Sequence, residues 1–309
     1  MEMSNIINQM TILFLLLLTG YTAAKLKIID DTASQRFSKL VIHLTAPAMI
    51  ISSVTGDNKL GSIDDMLAVL FLSFGFFLII PFLALSVVKL LRVPQEDKNL
   101  YLFMLIFHNN VFMGFPVVRA LFGEGAIFYA SIFNFPNTLF LYTLGIYLVK
   151  RQTDSKDVFE IRKIFNSGTY AVLMAMLIFI FKIQIPLFLS ETIALVGSIT
   201  TPLSLIVIGA SLSAIPLREV FQEKHLYPIT FISLFIIPVI ILFALKFFIF
   251  NEIILGVLVV LAAMPVASIA VMFCNEYGGN TPLAAKSILF TTLFSLINIP
   301  VLALLLHIF

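Results

Sequence analysis

Tryptophan is absent from the 309 residues, and there is a single cysteine, Cys274. One cysteine excludes an intrachain disulfide and a cysteine-based metal cluster. Charged residues make up only 12% of the chain, against 60% apolar ones, and mean hydropathy is +1.07. A water-soluble domain has far more polar surface than this composition can supply, so the solvent is lipid. The formal charge of +2 is too small to suggest a nucleic-acid partner. HExxH, GxSxG, P-loop and clustered acidic motifs are all missing, which argues against a membrane-embedded enzyme and against ATP-driven pumping by this chain. No cofactor and no bound metal is expected.

What is present is a series of long apolar runs. A helix crossing a hydrocarbon core of about 30 Å needs roughly 20 such residues. Breaks marked by charge, glycine or proline divide the chain into spans near 6–24, 37–56, 66–91, 99–121, 125–149, 167–183, 190–215, 226–249, 252–275 and 282–307. The first run has no basic residue before it and no small-residue cleavage site after it, so it reads as a span and not as a signal peptide.

Alternate connections carry very different charge. Fifteen basic residues fall on one side, among them Lys150, Arg151, Lys156, Arg162 and Lys163, and only Lys59, Lys182 and Lys246 on the other. A miscounted span would blur that asymmetry. By the positive-inside rule the 150–166 loop is cytoplasmic, and both termini are expected outside a plasma membrane.

Local features recur along the chain. Leu44-Thr45-Ala46-Pro47 resembles Ile199-Thr200-Thr201-Pro202, Ile79-Ile80-Pro81 matches Ile236-Ile237-Pro238, and Gly114-Phe115-Pro116-Val117 resembles Ala263-Met264-Pro265-Val266. The paired prolines lie 155, 157 and 149 residues apart. These spacings suggest two five-span halves, 1–149 and 167–309, joined by the 150–166 loop. Five is odd, so the second half enters the membrane from the opposite side, an arrangement suited to alternating access. The expected fold is therefore all-α: ten transmembrane helices in two inverted five-helix repeats, with the fourth and ninth broken.

A mid-helix proline removes a donor and frees carbonyls that lipid cannot satisfy, so Pro116 and Pro265 belong against protein or a water-filled cavity. His108, Asn109, Asn110 and Gly114 surround the first, and small residues surround the second. Two broken helices crossing near the midplane would present half-helix N-termini to an anion such as a carboxylate.

Asn109-Asn110-Val111-Phe112-Met113-Gly114-Phe115-Pro116 resembles the fourth-span motif of the auxin efflux carrier family, which includes plant exporters and bacterial malonate and malate permeases. Pro265, Glu276-Tyr277-Gly278 and Thr45-Ala46-Pro47-Ala48 are similar to its ninth-span and second-span segments. The resemblance covers nearly the whole chain and implies a scaffold domain, a transport domain and possible homodimers. It also implies substrate binding at the crossing, where Asn109, Pro116 and Pro265 map. The short central loop is like that of compact prokaryotic members.

Each residue has a plainer alternative. Asn109 and Asn110 could bind substrate or cap helix ends. His108 could carry a coupling proton or be a satisfied structural histidine. Arg119 could attract an anion or pair with Glu124, and Glu276 could couple an ion, H+ or Na+, or end a helix. The sequence reading is a secondary carrier of a small organic anion, with a passive channel as the alternative and an enzyme a more distant one.

Overall fold

A computed structural model describes residues 3–55, 61–150, 165–213, 220–249 and 251–308. Among them the secondary structure is helical, apart from one isolated backbone bridge between His108 and Val266. We label the helices α1 (Met3–Lys25), α2 (31–55), α3 (Ile63–Leu90), α4 (Lys98–Ile106), α5 (Asn110–Phe122) and α6 (Ala126–Val149). They continue with α7 (Ser167–Phe181), α8 (Leu187–Leu212), α9 (Leu226–Leu245), α10 (Glu252–Ala262), α11 (Ile269–Tyr277) and α12 (Thr281–Ile308). Six of these, α2, α3, α6, α8, α9 and α12, contain stretches long and apolar enough to cross a membrane. The apolar segments expected as fourth and ninth spans are each split in two, as α4 with α5 and α10 with α11. Most of the basic central loop, 151–164, lies outside the described residues, as do Lys59 and Arg218.

Helix starts follow from their capping residues. Side-chain oxygens of Asp30, Ser62, Asn166, Asn251 and Asn280 accept from Ala33, Asp65, Thr169, Ile253 and Leu283 backbone N–H groups. Each satisfies a donor that the first helical turn leaves without a partner. At the start of α3 the bond is reciprocal, because the Asp65 carboxylate also accepts from the Ser62 N–H at 2.9 Å. Gly123 and Gly278, with φ of 85° and 76°, end α5 and α11 in backbone conformations that a side chain would strain.

Three prolines are each preceded by a π-helical turn. The turns Val41–Thr45, Asn110–Gly114 and Ile232–Ile236 stand two residues before Pro47, Pro116 and Pro238. In each case the residue before the proline donates five positions back, to Val41, Asn110 or Ile232. Proline has no N–H and crowds the carbonyl four residues earlier, and a widened turn takes up that mismatch without leaving lipid-facing groups bare.

Packing depends on glycine at two contacts. A side chain at Gly20 of α1 would run into the Ile206 carbonyl of α8, and one at Gly209 of α8 into the Leu17 carbonyl of α1. The two backbones therefore touch reciprocally, as small-residue helix interfaces in membranes do. α2 lies against α7 and α8, while α3 packs on α4 and α6, and α6 on α10. Large buried side chains, Phe103, Phe107, Phe115 and Phe128 among them, fill the interior around the two interruptions.

Candidate functional site

The two interruptions meet each other. α4 ends at Ile106, and Phe107 turns into extended backbone with φ −112° and ψ 119°. The Phe107 carbonyl then accepts from the Ala267 N–H at 3.1 Å, and the Asn109 N–H donates to the Pro265 carbonyl at 2.7 Å. Residues 107–109 and 265–267 thus run antiparallel as a minimal two-strand bridge, His108 opposite Val266. Asn109 itself, at φ −80° and ψ 65°, is the centre of an inverse γ-turn closed by the Asn110 N–H on the His108 carbonyl at 2.9 Å. The Asn109 carbonyl accepts from Met113 and Gly114. In the second break the Val266 N–H donates to the Thr291 hydroxyl of α12 at 3.1 Å. Broken backbone at this depth is tolerated because the two breaks satisfy one another.

The crossing partner of Pro265 is Asn109, not Pro116. The structure places the interruption seven residues ahead of Pro116, which begins the regular part of α5 just after a π-helical turn. The reason is that proline near a helix start costs little, its missing donor being one the first turn cannot use. Gly114 sets the distance between the two interrupted helices, since a Cβ there would sit 2.6 Å from the Leu261 side chain of α10.

Polar groups gather around this crossing. His108, Asn109 and Asn110 are 3%, 5% and 2% exposed. Both polar atoms of the Asn110 amide are buried with no hydrogen-bond partner. The first turn of α5, which carries Asn110, packs against α6 and α8, and the π-turn of α2 packs against α8. Those neighbours contribute further buried oxygens without partners: Asn137 on α6, Thr200 and Thr201 on α8, and Thr45 on α2. Burying an amide or hydroxyl without a bond costs on the order of 1–3 kcal/mol. Five residues doing so on facing elements form a set with unused hydrogen-bonding capacity. Sequence reasoning singled out Asn110 but missed Thr200, Thr201 and Asn137. A signal was there, because Thr45 and Thr200 stand two positions before the paired prolines Pro47 and Pro202.

The remaining candidates separate. The Arg119 guanidinium is paired with the Glu124 carboxylate beyond the end of α5. Nine residues of helix put it about 14 Å along the axis from Asn110. His108 turns away from Asn110's neighbours: its Nε2 lies 3.3 Å from the Ser233 hydroxyl of α9. Glu276 falls on α11, and its side chain lies outside the described residues. His43 is exposed, with Nδ1 3.1 Å from the Ser167 hydroxyl. Lysine, arginine, aspartate and glutamate are missing from the buried residues described. Charge at the crossing therefore comes from backbone. α5 and α11 both begin here, and the positive ends of their helix dipoles are suited to an anion.

Comparison with known proteins agrees in class. A family model described as "Membrane transport protein" matches residues 5–303. A protein of Methanocaldococcus jannaschii described as an uncharacterized transporter is 26% identical over 295 residues, which cover 93% of this chain and 94% of that protein.

Proposed function

Because this chain belongs to the membrane transport protein family, the auxin efflux carriers, we propose that it is a secondary carrier of a small organic anion, a mono- or dicarboxylate such as malate or malonate. The observation that carries the reading is the Asn110 amide, buried at the crossing of two interrupted helices with both polar atoms unpartnered. A carboxylate has the chemistry to use these groups. It would accept from the Asn110 amide and the neighbouring threonine hydroxyls, while the starts of α5 and α11 offset its charge. Asn109, Gly114, Pro116 and Pro265 shape the backbone around it, and Arg119 acts near the aqueous mouth. Glu276 remains a coupling-ion candidate on α11.

Alternating access between two inverted five-helix halves is the mechanism we propose. The bridged centres of the breaks, His108 and Val266, are 158 residues apart, close to 155 and 157 for the Pro47/Pro202 and Pro81/Pro238 pairs. That spacing supports the repeat better than the Pro116/Pro265 pairing at 149. The charge asymmetry of the loops supports a cytoplasmic 150–166 segment and outward termini in the plasma membrane. A homodimer is the assembly the family resemblance implies.

Purified protein in proteoliposomes should take up or exchange labelled dicarboxylate saturably. Asn110→Ala should lower that flux at least about tenfold while the folded yield holds. A broad panel of organic acids giving no flux above empty vesicles would remove the substrate class. Full flux by the variant would remove the site.

A further inference from the structure

His108 occupies a second polar environment, on the far side of the Asn109 turn from the residues around Asn110. Its Nε2 meets the Ser233 hydroxyl of α9 at 3.3 Å, and Ser233 is itself buried. The next residue, Leu234, owes its free carbonyl to Pro238 four positions on, which has no N–H to give. Asn298 of α12 supplies the missing donor, Nδ2 to the Leu234 carbonyl at 2.7 Å. The Asn298 Oδ1 and the Thr230 hydroxyl, one turn before Ser233, are buried without partners. His108 is thus held by a polar network that joins the crossing to α9 and α12 and still has acceptor capacity to spare.

This histidine is chemically singular among its neighbours. Tyr101, Tyr129 and Cys274 are the other buried titratable groups among the described residues. Of these three side-chain types, only an imidazole ordinarily changes charge between pH 5 and 8. The groups that the packed elements bring to it are neutral: Ser233 from α9, Asn298 and Thr291 from α12, Pro265 and Val266 from the opposite break. α6 and α9 contain no charged residue, and the charges of α3 sit at its ends, Asp64 and Asp65 at one and Lys89 at the other. Among the described residues, no buried carboxylate stands ready to balance a protonated His108. It does stand just past the C-terminal end of α4, where the helix dipole favours a cation.

We propose that His108 carries the coupling proton: it takes up one proton at a ring nitrogen as the organic anion binds at the crossing, and releases it with the anion on the other side. This rests on the carrier function proposed above. A buried imidazolium and a buried carboxylate are each costly alone, and together each offsets the other's charge. The backbone between His108 and Asn110 spans two residues, at most about 7 Å. Their side chains leave the turn on opposite sides, so the two charges stand farther apart than this backbone span, on the order of 12 Å, and in a partly polar interior they still change each other's affinity by roughly tenfold. Linkage makes the effect reciprocal, so binding of either one favours the other. Anion affinity is then highest at low pH and falls as pH rises and His108 loses its proton. Ser233 and Asn298 are positioning residues.

The test uses the full chain in proteoliposomes, with labelled malonate or malate exchanged between about pH 6.5 and 8.5, where both stay largely ionised. For the wild type, KM should rise about tenfold across that range, and an imposed proton gradient should drive accumulation in sodium-free buffer. His108→Gln should give a flat KM and no proton-driven accumulation. Ser233→Ala should keep the pH dependence but displace its midpoint, and it decides the matter if His108→Gln does not fold. A wild-type flux that ignores pH, or that requires sodium, overturns the proton role and leaves the carrier function standing. A His108→Gln profile identical to wild type also overturns it. Absence of wild-type flux for every acid overturns both.

Discussion

At the scale of single residues, the most informative pair is two buried asparagines with opposite bonding. Asn110 has neither amide atom engaged, whereas Asn298 supports the Leu234 carbonyl. Truncating them should separate function from stability. Asn110→Ala removes a buried polar group that bonds to nothing, so the thermal midpoint in detergent should hold or rise while transport falls. Asn298→Ala leaves a buried carbonyl bare and should cost about 1–3 kcal/mol, read as a lower midpoint. Gly114→Ala tests the close approach of the interrupted helices. Its methyl group would press on Leu261, 2.6 Å away, and Met264, 3.3 Å away. We expect a loss of about 1–3 kcal/mol, measured by thermal unfolding, with reduced transport. Residue types pointed to this region in the sequence, since asparagine is expensive at membrane depth. Which asparagine is satisfied could not be read there, because the partner of Asn298 lies 64 positions away on another helix.

At the scale of elements, the recurring device is a π-helical turn two residues before a proline, at Pro47, Pro116 and Pro238. Sequence patterning located the prolines and the apolar segments. It did not separate a proline that interrupts a helix from one that follows a widened turn, because both remove the same donor. Pro265 lies inside its break, while Pro116 is absorbed into α5. α9 allows a direct test of the proline's effect. Pro238→Ala restores an N–H within reach of the Leu234 carbonyl, so Asn298→Ala should cost less in that background than in the wild type. A double-mutant cycle on unfolding free energies should show coupling of about 0.5–1 kcal/mol. Additivity would mean that Asn298 and Pro238 act independently.

For the whole molecule, hydropathy and charge placement speak to orientation. The expected outcome is a cytoplasmic 150–166 segment and termini on the outside. With Cys274 replaced by serine, a single cysteine at Ser155 should react with an impermeant maleimide only from the cytoplasmic side, and one at Asn5 only from outside. Reaction of both from one side would reverse or break the topology.

Composition and periodicity alone determined that this chain is helical and lives in lipid, roughly where its apolar segments lie, and which of them carry proline. Those properties are local, because capping, turn chemistry and a run of about 20 apolar residues act over a few positions. The tertiary structure decided the rest. It brought Asn109 against Pro265 through backbone bonds, left Asn110 unpartnered, and set His108 against Ser233 instead. Those outcomes depend on which distant groups the fold brings within reach: in lipid the backbone groups of the two breaks must be satisfied inside the protein, and side chains such as Asn110 are left with whatever remains.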